Sequence, residues 1–160
     1  MPLHYVAGDA VNPVGMGNKL LVHVCNGIGA WGRGFVLPLA QRFPETARRY
    51  KAWAAGEETT PFALGQVQFV EVLPGLIIVN LIGQHDIARK GQDLAQPPIR
   101  YEAIREGLKQ VQSEAERIGA SVHMPRIGAG LAGGDWAVIE AIINEELVGQ
   151  GLDVTVYDLA

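Results

Sequence analysis

The sequence predicts an α/β domain of three layers, with helices on both sides of a mixed sheet. Short apolar runs alternate with helical patterns along most of the chain, which points to strands separated by helices. Two of the runs are joined by Pro74-Gly75, a hairpin signal that supplies the antiparallel part of the sheet. Two others pass directly into glycine-rich segments that open a helix, so loops gather where strands end.

The elements follow in order. Residues 4–7 form a short strand closed by Gly8-Asp9, and 19–25 a stronger one. Residues 35–43 read as a helix, with Pro38 tolerable only near its first turn, and Pro44 starts another helix through Trp53. After a polar loop over 54–62 come the β-rich runs 66–72 and 76–82. A polar connection over 83–96 holds Gln84, His85, Asp86, Arg89 and Lys90. Pro97 then opens the longest helix, to about Ile118, with Ile104, Leu108, Val111 and Ala115 at helical spacing. A strand over 120–124, a helix over 135–148 and a strand over 154–157 complete the pattern. The expected organisation is one domain over residues 1–160, with no repeats and no linker.

Composition narrows the function classes. At 160 residues, 48% hydrophobic and 19% charged, the chain encloses a proper core. Its formal net charge of -4, with no basic stripe, argues against general nucleic-acid binding through phosphate neutralisation. Cys25 is the one cysteine, which excludes an internal disulfide, and it reads as a packed small residue. The four histidines show no i, i+4 pair and no cysteine cluster, so no metal site is expected. No signal peptide is visible at Met1-Pro2-Leu3-His4, and no run reaches bilayer-spanning length, so a cytoplasmic protein is expected.

The chemistry lies in the two glycine segments. The first runs His23-Val24-Cys25-Asn26-Gly27 and on to Trp31-Gly32-Arg33-Gly34-Phe35. The second runs Met124-Pro125-Arg126-Ile127-Gly128-Ala129-Gly130-Leu131-Ala132, ending at Asp135-Trp136. Glycines let a ligand approach the backbone, and consecutive N–H groups leading into a helix suit phosphate. Two such loops point to a ligand with an extended phosphate–sugar body, where either alone reads equally as a tight turn.

These two segments, with Gly8-Asp9-Ala10, resemble those of macrodomains, the fold that binds ADP-ribose. The likeness covers nearly the whole chain and implies a three-layer α/β/α macrodomain-like fold. The second segment is similar to the terminal ADP-ribose glycohydrolase branch. The first, through Trp31-Gly32-Arg33-Gly34, is also similar to the ADP-ribose-1''-phosphate phosphatases of the same fold. The resemblance implies that Asp9, with Ala10 beside it, accepts from the adenine amino group. It implies that Asn26, Gly27 and the loop Trp31, Gly32, Arg33, Gly34 and Phe35 hold the distal ribose. Ile127, Gly128, Ala129, Gly130, Leu131 and Ala132 would wrap the diphosphate with backbone amides, and Gln84 would sit at the ribose end.

The resemblance breaks at two positions. The glycohydrolase branch has a lysine, which forms a sugar adduct, at about the place of Gln84, and an aspartate where this chain has Ala132. Glutamine forms no Schiff base and alanine relays no proton, so the lysine-adduct mechanism is not expected.

Asn26 remains a candidate for orienting the ribose, its plain alternative being a turn residue. Asp135, the nearest carboxylate, is a candidate base, or else the N-cap of the following helix. His85 is a candidate through its near-neutral titration in a polar loop, or an ordinary exposed residue. Trp31 and Phe35 read as a wall of the site or as core aromatics. His23 reads as a satisfied core histidine, and Arg126 as a partner of a carboxylate or of phosphate.

The function these residues predict is hydrolysis of mono-ADP-ribose from acidic side chains by a positioned water. An ADP-ribose-1''-phosphate phosphatase and a non-catalytic ADP-ribose module are the alternatives. The partners expected are ADP-ribose and mono-ADP-ribosylated proteins, with ADP-ribosylated nucleic acid second, no membrane and no cofactor. A monomer is expected.

Overall fold

The computed structural model describes residues 3–32, 34–85, 98–130 and 133–159. In chain order the elements are β1 (His4–Ala7), β2 (Lys19–Asn26), α1 (Val36–Arg42), α2 (Pro44–Ala54), β3 (Val67–Leu73), β4 (Leu76–Gln84), α3 (Tyr101–Ile118), β5 (Ser121–Met124), α4 (Trp136–Glu146) and β6 (Val154–Asp158). A 3₁₀ turn, Val148–Gln150, follows α4. The strands form one sheet in the order β1-β6-β5-β2-β4-β3. Neighbours are parallel except β3, which pairs antiparallel with β4 at one edge. The hairpin signal at Pro74-Gly75 thus places the antiparallel part where the sequence predicts it.

Strand alternation sorts the apolar residues into two layers. Leu20 and Val22 of β2, with Val79 and Leu81 of β4, face α3 and α4 and pack with Ile104, Leu108, Val111 and Ile139. Leu21 and Ile78 face the other way, with Leu39 of α1 and Phe43. Cys25 and Ile82 lie on that same side against Tyr50 and Trp53 of α2. This is the helix–sheet–helix arrangement expected.

Helix α3 approaches the sheet closely because two glycines leave room. A Cβ on Gly107 would stand 2.4 Å from Leu81 Cγ, and one on Gly83 would stand 2.5 Å from Ile104 Cδ1. The helix starts at Tyr101 rather than at Pro97, which lies outside the described residues. Ile99 forms a bridge to Gln84, and the Arg100 N–H donates to the Gly83 carbonyl at 2.8 Å, so this stretch is held as a strand-like extension. Gly119 ends α3 in the left-handed conformation at φ 66°.

Two other helices are shorter than expected, and the remaining elements shift at their ends by at most two residues. The 35–43 helix narrows to Val36–Arg42, with Phe35 as its N-cap and Pro38 in its first turn. The 135–148 helix ends at Glu146 and passes into the 3₁₀ turn. Among the described residues no helix is long and apolar enough to cross a membrane.

Substituting Gly107→Ala should lower stability by about 1–3 kcal/mol, because the added methyl collides with Leu81. Combined with Leu81→Ala, the loss should fall short of the sum of the two single losses, since the second change opens the space the first one needs. Thermal or urea unfolding of the four proteins checks this, and strict additivity would refute the collision.

Candidate functional site

β2 ends at Asn26, β4 at Gln84 and β5 at Met124, and the segments leaving these three ends meet around one cleft of about 270 Å³. Its lining joins His23 and Val24 of β2, Gly34, Phe35 and Val36 of the first glycine segment, Gln84 of β4, and Pro125 through Gly128 with Gly130 of the second. The rim gathered by parallel strands is therefore the site the topology favours. A register shift between β2 and β4 helps to shape it. Cys25 pairs with Ile82 but Asn26 pairs with Gln84, so Gly83 is the extra residue of a bulge.

Asn26, 7% exposed, organises the first loop. Its Oδ1 accepts from the N–H of Ile28 at 3.1 Å and of Ala30 at 3.0 Å, and its Nδ2 donates to the Ala30 carbonyl at 2.6 Å. The Tyr50 hydroxyl reaches Asn26 from α2, 2.6 Å from its carbonyl and 2.9 Å from Oδ1. Gly27 N–H closes onto the Gln84 carbonyl at 3.0 Å. Trp31 lies edge-on to His23 at 5.6 Å and tilted against Tyr50 at 5.4 Å. It packs beneath the loop, and among the described residues its buried Nε1–H has no partner. Phe35 lines the cleft. Gly32 and Gly34 are exposed, and Arg33 lies outside the described residues.

Below the cleft a string of buried polar groups crosses the sheet. The Gln68 Nε2 of β3 donates to the Arg49 carbonyl at 2.9 Å and to the Glu58 carboxylate at 2.7 Å. Both of those groups accept only, so Gln68 Oε1 faces Asn80 of β4, whose Nδ2 donates to it at 2.8 Å. Asn80 Oδ1 is then left for His23 Nε2, which must carry the proton. Burial pushes the imidazole down to about 4, against which the bond to Asn80 acts weakly. His23 is thus neutral, as the core reading expected, and its partners are supplied from within the sheet. Burial also pushes the adjacent Cys25 thiol up, which makes it a poor nucleophile.

The second glycine segment turns at Gly128, φ 71°, where a Cβ would stand 2.7 Å from Ile99 Cδ1. The Gly134 N–H returns to the Gly128 carbonyl at 2.8 Å, and Gly133 N–H to that of Gly130 at 3.0 Å. A Cβ on Gly130 would meet nothing within 4 Å. Among the described residues, the N–H groups of Gly128 and Gly130 meet no backbone carbonyl, which leaves them suited to an anion. Ile127 is buried and anchors the loop in the core, and Ala129 donates to the Arg126 carbonyl at 3.4 Å. Leu131 and Ala132 lie outside the described residues.

The remaining candidates take separate places. Asp135 is the N-cap of α4, its Oδ1 accepting from Ala137 N–H at 2.9 Å, and it does not line this cleft. His85 is exposed just past β4, its N–H donating to the Pro98 carbonyl at 3.0 Å. Asp86, Arg89 and Lys90 lie outside the described residues. Asp9 is exposed on the turn after β1, with Oδ1 accepting from Val11 N–H at 3.0 Å, and Ala10 beside it is buried. Arg126 is paired with Asp158 through Nε at 2.7 Å and Nη2 at 3.1 Å, which holds the Asp158 carboxyl below its ordinary range.

Sequence reasoning missed the string from Glu58 to His23. Its signal was Asn80 standing alone in the apolar run Leu76-Ile77-Ile78-Val79-Asn80-Leu81-Ile82, since a buried amide requires partners.

His123, in contact with the Tyr157 hydroxyl at 2.7 Å, is likewise pushed down to about 4 by burial. In the unfolded chain both histidines take up protons near 6.5, and in the fold only near 4. Their stabilising contribution is therefore complete above about pH 6.5, falls as the pH drops toward 4 and levels off below. Each contributes up to about 3 kcal/mol across that window. Urea midpoints should decline over it, less steeply in a His123→Gln variant. Nitrogen-15 spectra should show His23 neutral and protonated at Nε2 at pH 5; an imidazolium signal there would refute the assignment.

No family model matches the chain. A solved structure of a protein of unknown function from Bacteroides thetaiotaomicron is 48% identical, covers 99% of each chain and superposes with a TM-score of 0.93. A macrodomain protein from Streptomyces coelicolor is 44% identical, covering 99% of this chain and 100% of that one, with a TM-score of 0.85. An ADP-ribose 1''-phosphate phosphatase from Chaetomium globosum is 30% identical over 149 residues, 84% of this chain and 79% of that protein. The chromodomain-helicase-DNA-binding protein 1-like of Mus musculus is 30% identical over 170 residues, 97% of this chain, although the chain spans only 17% of that relative's length. The likeness runs from end to end of the described fold and takes in both glycine segments, and on it the chain belongs to the macrodomain family.

Proposed function

We propose that this macrodomain binds ADP-ribose and hydrolyses mono-ADP-ribose from acidic side chains of proteins through a positioned water. The observation that carries the reading is a cleft supplied with backbone donors and poor in free acids and bases. The N–H groups of Gly128 and Gly130 are suited to the diphosphate. Asp135 caps a helix, and His23 has its proton fixed toward Asn80. Such a site favours a substrate whose leaving group needs little protonation. A carboxylate expelled from the anomeric carbon of an ester-linked ADP-ribose is that kind of group. Attack by a water then rests on positioning and electrostatic stabilisation. The diphosphate would fix the ribose, and the loop held by Asn26 would close over its distal end.

The phosphatase reading is favoured by Trp31-Gly32-Arg33-Gly34 and by the Chaetomium globosum relative. Parallel assays on glutamate-linked ADP-ribose, base-linked ADP-ribose and ADP-ribose-1''-phosphate separate these activities. Binding of ADP-ribose without turnover of any of them would instead indicate a reader.

Calorimetry should show one-to-one binding of free ADP-ribose in the micromolar range, about −8 kcal/mol. Gly130→Val should remove that binding and keep the wild-type melting temperature, because the side chain enters open space on the cleft wall. Gly128→Val should instead destabilise the fold, through Ile99 and the positive φ. Wild-type affinity in Gly130→Val would move the phosphate site elsewhere.

Turnover of the ester-linked substrate should leave no borohydride-reducible enzyme–sugar adduct, since Gln84 stands where the adduct-forming lysine would be. Asn26→Ala should lower kcat by about 10²-fold or more, because the loop that orients the ribose loses its tie. Asp135→Ala should cost about 1 kcal/mol of stability and leave kcat near normal, the signature of a cap. A large fall in its kcat would make Asp135 the base.

A further inference from the structure

Arg126 stands at the end of the cleft nearest β6 and β1, and its surroundings are unusual for an anion-binding arginine. The fork of Nε and Nη2 is filled by the two oxygens of Asp158. That pairing offsets the charge and fixes the guanidinium plane. The guanidinium also lies over the rings of Tyr5 and Trp136, 5.2 Å from each centroid. The two rings are themselves locked edge-on at 6.5 Å, with Trp136 Nε1 donating to the Tyr5 hydroxyl at 3.0 Å and that hydroxyl donating to Glu140. Yet the Arg126 side chain remains 44% exposed and lines the cleft beside Gly128 and Gly130.

The Nε–Nη2 fork is thus occupied by Asp158, and what a ligand meets is the flat, delocalised face of the guanidinium with its Nη1 edge. Guanidinium planes stack on aromatic rings, and bases are commonly received on arginine faces. The neighbouring strand end adds a matching polar group. Gly8 N–H donates to the Asp158 carbonyl at 2.8 Å, which sets the exposed Asp9 carboxylate at the same rim, suited to accept from an exocyclic amine. A planar ring bearing an amine fits this end of the cleft better than a sugar or a phosphate does.

We propose that the Arg126 guanidinium, clamped by Asp158 and backed by Tyr5 and Trp136, is the stacking wall for the purine of the bound nucleotide and sets the preference for it. The inference rests on the ADP-ribose reading above. It makes Arg126 a specificity determinant rather than a phosphate ligand, with Tyr5, Trp136 and Asp158 as its positioning residues.

The test is the ratio of the dissociation constants for CDP-ribose and ADP-ribose, measured by calorimetry on wild type and on Arg126→Lys. Lysine keeps a cation facing Asp158 but has no plane to stack on. Wild type should prefer ADP-ribose, and Arg126→Lys should weaken ADP-ribose binding by about tenfold while changing CDP-ribose binding much less, so that the ratio collapses. A purely structural or phosphate-binding Arg126 would weaken both ligands alike and leave the ratio intact, which would overturn the proposal. Wild type binding ADP-ribose without any preference over CDP-ribose would overturn it as well. Wild type binding neither nucleotide would instead overturn the ADP-ribose reading, and the proposal with it.

Discussion

The side chain of Asn26 is the tie on which the site depends. It sits at the last residue of the central strand β2, where the sheet hands over to a loop with no regular hydrogen bonding of its own. One amide satisfies the backbone of Ile28 and Ala30, and Tyr50 fastens the same residue to α2. The loop consequently inherits the rigidity of the core, because Tyr50 is fully buried among Trp53, Phe62 and Cys25. The second glycine loop is anchored by a different device, with Ile127 in the core and Gly134 folded back onto Gly128. Two loops of irregular backbone are thus each tied into the core, the first through Asn26 and Tyr50 and the second through Ile127 and Gly128.

Placing these loops at one rim is the work of the parallel sheet. β5, β2 and β4 run side by side in the same direction, so their carboxyl ends open on the same edge. The close packing of α3 onto β4 through Gly83 and Gly107 fixes Ile99, which bridges Gln84 and also supports the Gly128 turn. Core geometry and cleft geometry are therefore coupled through a few small residues.

Much of this was legible in the sequence. Strand and helix types, the hairpin and the convergence of glycine loops follow from apolar periodicity and turn chemistry, which are local. The start of α3 was not legible, because Ile99 and Arg100 are recruited by β4 from outside their own segment. The engagement of Asn26 with its own loop was the plain turn reading, and Asp135 likewise took the capping role that its position before a helix favours. Arg126 and Asp158 are 32 residues apart in the chain, and nothing in either segment names the other. The polar string under the cleft joins four elements of sequence in the same way. Only a lone amide in an apolar strand betrays it.

That string has a sense as well as a location. Each amide in it can turn over only if its neighbour turns too, so the hydrogens are ordered along the whole length, as protons are in ice. The order is decided at the far end, where Gln68 must present its nitrogen to the Arg49 carbonyl and the Glu58 carboxylate. Reversing the string would set oxygen against oxygen at two places at once. The tautomer of an imidazole buried at the centre of the sheet is therefore dictated from its edge, by residues that do not line the cleft.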